Sequence, residues 1–174
     1  KYKNLYLLHF DAHADLRQSY NGEKFSHASA IRRCMDYKNV SVVSFGIRNI
    51  SSSEIPFLKK NSKRIKIFWS KDKNKWNLNS FKKLIKNKDV YITFDVDGLD
   101  SSIMPATGTP EPGGIFWYEA LEIIKIACKN SRIVGADVNE LAPIKGFNSY
   151  NFLVAKLVYK ILSYKFLLNQ VKSV

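Results

Sequence analysis

Short apolar runs alternate with amphipathic stretches along the whole chain. Leu5 to Phe10, Val40 to Phe45, Ile65 to Trp69, Val90 to Phe94 and Ile133 to Val138 are brief and rich in apolar or β-branched residues. Polar or turn residues bound each of them, which predicts five buried strands. Helical patterns fill the intervals, at about His27 to Tyr37, Ser52 to Lys60, Ser80 to Asn87 and Trp117 to Lys129, with a last one at about Tyr150 to Leu168. Leu121, Ile124 and Cys128 recur at three- and four-residue spacing, a stripe that faces a core. In the last helix Leu153, Leu157 and Ile161 oppose a more polar side marked by Phe152, Lys156 and Lys160. Strand and helix in strict alternation predict an α/β fold of three layers, α-β-α, around a mostly parallel sheet covered on both faces. No internal repeat or low-complexity linker divides the chain.

In open parallel sheets, ligands bind beyond the carboxyl ends of the strands. The residues that follow each predicted strand are therefore the first candidates for function. Asp11, His13 and Asp15 follow the first, Asp95 and Asp97 the fourth, and Asp137 and Glu140 the fifth. Acids thus gather at one edge of the sheet. Asp11-Ala12-His13-Ala14-Asp15 sets three metal-ligand types at alternate positions, and Asp95-Val96-Asp97 repeats the spacing. Carboxylates meeting at one edge repel unless cations neutralise them. Two divalent ions are economical because carboxylates bridge them, and mixed Asp and His ligation suits manganese. Each motif alone reads equally well as a polar turn; their joint occurrence after predicted strands favours metal. Three Gly and three Pro between Pro105 and Gly114 form a rigid irregular loop of the kind that carries function on a scaffold.

Composition narrows this picture. Of 174 residues, 28 are Lys or Arg and 15 are Asp or Glu, for a net charge of +13. The basic residues are mostly scattered Lys without interleaved aromatics, which argues against nucleic-acid binding. With 45% hydrophobic residues the chain can bury a core. No apolar run approaches the roughly 20 residues that span a bilayer, so no membrane partner is expected. Cys34 and Cys128 fit neither a metal spacing nor a disulfide framework, which suits a reducing, cytoplasmic setting.

The segments DAHAD, FDVDGLDSSIMPATGTPEPGG and GADVNELAP, in that order, resemble the ureohydrolase family of arginases, agmatinases and relatives. The similarity runs from about Leu5 to the final helix. Residues 9–33, HFDAHADLRQSYNGEKFSHASAIRR, together with GIRNISSSE and the PEPGG ending, look more like agmatinases than arginases, whose corresponding loop is rich in Asn, Thr and Ser. The resemblance implies an arginase/deacetylase-like fold and a dimanganese enzyme that hydrolyses linear amidines. Its expected reaction is agmatine to urea and putrescine, within polyamine biosynthesis. Arginase, guanidinobutyrase, formimidoylglutamase and a catalytically silent fragment stand as alternatives. A small guanidino substrate and a homo-oligomer, trimer or hexamer, are implied likewise.

By position, the resemblance makes Asp11 and Asp95 the bridging ligands of two manganese ions. Asp15 completes the first set and His13 with Asp97 the second. Asp15 would also orient the attacking hydroxide, His27 would shuttle protons, Glu140 would pair with the substrate guanidinium, and Thr109 would help line the site. A carboxylate suits a guanidinium because the pair is bidentate. His9 reads better as a packed strand residue than as a ligand, Asp137 as a partner behind the ligands, and Asp100 as a turn holder; Glu111 is either a solvated loop acid or faces a distal amine. The family pattern also has an upstream Gly-Gly-Asp-His segment whose His ligates the first metal. This chain starts ten residues before Asp11, with Lys1 rather than Met. The resemblance therefore implies that residues 1–174 form a single domain, the carboxyl-terminal portion of a longer ureohydrolase whose N-terminal part is missing.

Overall fold

A computed structural model describes residues 2–168. Five strands, β1 (Leu5–Phe10), β2 (Val40–Phe45), β3 (Ile65–Phe68), β4 (Asp89–Asp95) and β5 (Arg132–Asn139), alternate with helices α1 (Ala30–Cys34), α2 (Ile55–Lys60), α3 (Leu78–Ile85), α4 (Trp117–Asn130) and α5 (Asn148–Leu168). All strand pairs are parallel, in the order β3-β2-β1-β4-β5. Each expected strand is present, and the agreement has a simple cause. An inner parallel strand is buried on both faces, so its sequence is mostly apolar: Leu7, Leu8 and Phe10 of β1 are buried, with the polar His9 among them.

The chain works outward from β1 through β2 to β3, then crosses back to β4 and β5 on the other side. Right-handed crossovers accordingly send the helices of the two halves to opposite faces. On one face Leu7, Val42 and Ile65 pack with Ile31 and Met35, beneath α1 and α2. On the other, Leu8, Phe45, Ile92 and Phe94 pack with Phe81, Ile124, Leu157 and Ile161 from α3, α4 and α5. Aromatic rings fill the centre of that layer. Phe10 stacks on Phe94 with centroids 4.5 Å apart, and Phe45 stacks on Phe68 at 4.4 Å while Phe81 meets it edge-on at 5.0 Å.

Local chemistry sets the helix ends. Asn77 caps α3 by accepting from the Ser80 amide at 3.0 Å. The segment after β1 differs from its predicted form: a single 3-10 turn, His27–Ser29, precedes α1, which ends at Cys34 rather than near Tyr37. Met35 and Tyr37 bring their backbone back to close the turn into β2. Helix α5 buries Val154, Leu157 and Ile161, while Phe152, Tyr159, Leu162 and Phe166 remain exposed along its outer side.

The reversal of strand order places β1 beside β4, with Phe10 paired to Phe94. The next residues, Asp11 and Asp95, therefore leave the sheet side by side. Two glycines admit this crowding. A Cβ on Gly98 would lie 2.7 Å from the Asp11 amide nitrogen, and one on Gly46, at φ +94°, would lie 2.9 Å from the Asp11 carbonyl oxygen. Backbone atoms cannot step aside as a side chain can. Gly98→Ala is therefore expected to destabilise the fold by about 1–3 kcal/mol through overpacking. Chemical denaturation checks this, with a fall in midpoint at unchanged slope as the expected result.

Candidate metal centre

The loop leaving β1 carries the first donors. Asp11 is buried, and its carboxylate takes hydrogen bonds from two sides: His9 Nε2 lies 2.9 Å from Oδ2, and the His13 amide donates to Oδ1 at 2.6 Å. The His13 ring turns its Nδ1 to Asp97 Oδ2 at 3.0 Å and to Asp11 Oδ1 at 3.4 Å. Asp97 in turn accepts from the Ala12 amide at 2.9 Å, locking the two loops together. Asp95 accepts from the Asp97 amide at 2.9 Å, an Asx turn that aims both acids the same way.

Ligand-type atoms converge here in two groups. His9, Asp11 and Asp15 form one, and Asp11, His13 and Asp97 the other, each with donor atoms within 4.8 Å of one another. Asp11 belongs to both. Asp95 joins neither at that distance but lines the same cavity, of about 630 Å³, together with His27, Thr109 and Glu140. His27 sits at the start of the 3-10 turn with its ring edge-on to Tyr20, at 5.3 Å. Thr109 brings its hydroxyl to 3.5 Å from Asp97 Oδ2. Two of the candidate acids occupy strained backbone: Asp15 has φ +52° and Glu140 φ +62°. Left-handed conformations cost a non-glycine residue about 1 kcal/mol or more, and such strain concentrates at functional positions.

Electrostatics marks the centre as short of positive charge. Burial, reinforced by the Asp11 charge, pushes the Asp15 carboxyl up to about 8. Burial with the Asp11 and Asp97 charges pushes Asp95 up to about 9. Burial alone would raise Asp11 as well, but hydrogen bonds from His13 and His9 outweigh it and hold Asp11 below the usual carboxylate range. His13 is raised to about 10 by its hydrogen bonds to Asp11 and Asp97. Without a cation, the surroundings favour the protonated forms of Asp15, Asp95 and His13. Cations of oxygen and nitrogen preference would replace those protons, and the donor set fits them.

The remaining acids have separate work. Asp100 accepts from the amides of Ser102 at 3.0 Å and Gly114 at 2.8 Å, and so fixes the loop that follows β4. Asp137 accepts from the Thr93 hydroxyl at 2.9 Å and stands outside both donor groups. His9 is buried in β1 as expected of a strand residue, but it also bonds Asp11 and has Ser44 Oγ 3.1 Å from its Nδ1. Three supporting residues had no assigned part from sequence: Arg48, Asn49 and Glu54. Glu54 accepts from the Leu16 amide at 2.7 Å and the Ser51 amide at 2.6 Å, tying the loop at Asp15 to the turn before α2. The Ser51-x-x-Glu54 capping box was the available signal for that residue.

The arginase family profile matches residues 1–163. The chain belongs to the arginase family. It is 40% identical to an agmatinase of Bacillus anthracis over 146 residues, which is 83% of this chain and 49% of that protein. It is 34% identical to the N(1)-aminopropylagmatine ureohydrolase of Synechocystis over 161 residues, 91% of this chain and 51% of that protein. Among solved structures, the agmatine ureohydrolase of Thermoplasma volcanium superposes with a TM-score of 0.80 at 30% identity, covering 94% of this chain and 55% of that one. The chain spans about half the length of the curated relatives it matches. The fold follows from this membership, and the donor groups above are those able to hold a metal.

The shifted carboxyls generate a prediction about pH. Asp15 and Asp95 ionise higher in the folded chain than in the unfolded one, so their contribution to stability is fully present below about pH 4. It is lost as pH rises through about 8 to 9. His13 acts in the same direction: its contribution is present below about 6.5 and lost through about 10. Asp11, depressed, contributes above about 4 and loses its contribution in acid. The metal-free chain is therefore expected to be most stable in mild acid and to weaken steadily toward pH 9. Divalent metal should bind more tightly over the same rise and release protons near pH 7. Thermal midpoints across pH, with and without metal, and calorimetry in buffers of different ionisation enthalpy check both statements.

Proposed function

We propose that this chain carries the metal-binding core of an agmatinase-type ureohydrolase, hydrolysing agmatine with water to urea and putrescine. The observation that supports it best is the sharing of Asp11 between two donor groups at the junction of β1 and β4. A carboxylate common to two donor groups would be able to serve two cations, as a two-metal hydrolase requires. Asp11 and Asp95 would bridge two manganese ions, Asp15 would complete one set, and His13 with Asp97 the other. When bound, the metals supply a nucleophile at neutral pH and neutralise the acids that otherwise hold protons.

The chain's own side chains then divide the remaining tasks. Glu140 lines the same cavity as the donor groups and would take the guanidinium in a bidentate pair, setting its carbon over the centre. Asp15 would orient the attacking oxygen. His27, exposed at the rim and steered by Tyr20, would pass a proton to the departing amine. Thr109 would narrow the cavity above Asp97. A homo-oligomer is the assembly in keeping with the family resemblance. A second reading, an N1-substituted agmatine, draws support from the Synechocystis relative and from the open rim at Tyr20.

The test uses the full-length enzyme. Asp97→Ala and His13→Ala are expected to lower metal content and turnover together, whereas His27→Ala should keep metal and lose turnover, read by elemental analysis beside urea release. Glu140→Gln keeps the shape without the charge. It should cost about 2–5 kcal/mol in kcat/KM with metal retained. Agmatine should be preferred over arginine by a wide margin. Equal rates on arginine would overturn the agmatinase reading, and faster turnover of aminopropylagmatine would favour the second one.

A further inference from the structure

Arg48 lies three residues past the end of β2, outside both donor groups. Its backbone and side chain nevertheless reach both metal-binding motifs. The amides of Arg48 and Asn49 donate to the Ala12 carbonyl at 2.8 and 2.9 Å, at the centre of the DAHAD loop. The guanidinium then runs the other way, into the turn after β4. Nη2 donates to the carbonyls of Asp97 at 2.8 Å, Leu99 at 3.2 Å and Glu111 at 2.7 Å, and Nη1 to those of Gly46 at 2.9 Å and Gly98 at 3.5 Å. One side chain thus gathers three consecutive carbonyls, 97 to 99, together with one from the Gly- and Pro-rich loop. Carbonyls turned inward leave the Asp97 carboxylate turned outward, toward His13.

Glu111 completes the arrangement. Its carbonyl is held by Arg48, and its Oε1 accepts from Asn49 Nδ2 at 2.7 Å. The same Oε1 stands 3.9 Å from His13 Nε2, while Nδ1 of that ring faces Asp97 and Asp11. A metal-binding imidazole is commonly oriented by a carboxylate behind its other nitrogen.

We propose that Arg48 is a positioning residue of the metal centre, a guanidinium clamp that fixes the Asp97 turn and, through Asn49, sets Glu111 behind His13. This deepens the metal-core reading and rests on it for the affinity measurements, whereas the clamp itself is read without metal. A lysine could not reproduce it, since an ammonium lacks the planar fork that reaches carbonyls on three segments.

Hydrogen exchange of the 174-residue chain without metal, followed by titration with Mn(II), tests the proposal. In Arg48→Met, exchange is expected to quicken by at least about tenfold over residues 96–116, with β1 and β2 unchanged, and Mn(II) affinity to fall by about 10- to 100-fold. Arg48→Lys should fall between wild type and Arg48→Met in both. Glu111→Gln should weaken Mn(II) binding without altering exchange over 96–99. Unchanged exchange over 96–116 in Arg48→Met would overturn the clamp, as would a uniform rise across β1 and β2 with affinity per folded chain preserved. Should Arg48→Met fail to fold, Arg48→Lys decides by the same exchange measurement. Failure of the wild-type chain to take up Mn(II) would count against the metal-core reading instead, leaving the exchange result to decide Arg48.

Discussion

Carboxylates that repel one another are held together at the junction of β1 and β4, and most of the molecule can be read as the apparatus that holds them. Asp11 and Asp95 leave neighbouring parallel strands at the point where strand order reverses. No side-chain freedom relieves that proximity, because the sheet register imposes it. The chain answers with directed hydrogen bonds: His9 and His13 on Asp11, the Ala12 amide on Asp97, the Asp97 amide on Asp95. Each bond lowers the cost of a charge and also aims it inward. The result is a cluster of oxygen and nitrogen donors that could hold a metal ion.

Around this centre the packing runs from rigid to open in one direction. Stacked Phe10 and Phe94 lie immediately before Asp11 and Asp95 in the chain, so the donor-bearing loops spring from the buried core. Glycines at 46 and 98 let three backbone segments close over Asp11. Beyond them, Glu54, Asp100 and Arg48 act as pegs between loops, each satisfying backbone groups that irregular segments would otherwise leave unpaired. Tyr20, His27 and Glu140, which line the same cavity, are exposed. Burial thus falls from Asp11 and Asp97 toward these three side chains.

Much of this was legible in the order of residues alone. Short runs rich in apolar and β-branched residues marked β1 to β5, and the acids following β1, β4 and β5 marked the candidate edge. Helix α4 showed its buried stripe through Leu121, Ile124 and Cys128, all three of which are core residues. DAHAD and DVD are local motifs, and local motifs survive in sequence because their spacing is set by a few bonds. The same locality explains why Asp100 was read as a turn holder: its partners, Ser102 and Gly114, lie in its own loop.

What the sequence could not express were contacts between segments far apart along the chain. His9 alternates with Asp11 on a strand, and pattern alone says only that it is buried; its bond to Asp11 depends on how β1 ends and on Ser44 across the sheet. Glu111 was equally ambiguous, and its place behind His13 is decided by Asn49, 62 positions away. Arg48 reads as one more basic residue in a chain rich in them until folding brings carbonyls 97 to 99 around it. Sequence by itself determined the elements, the acid-rich edge and the donor types, because those follow from periodicity and short spacing. Tertiary structure decided which donor meets which and what holds them, because those distances exist only once parallel strands from separate parts of the chain lie side by side.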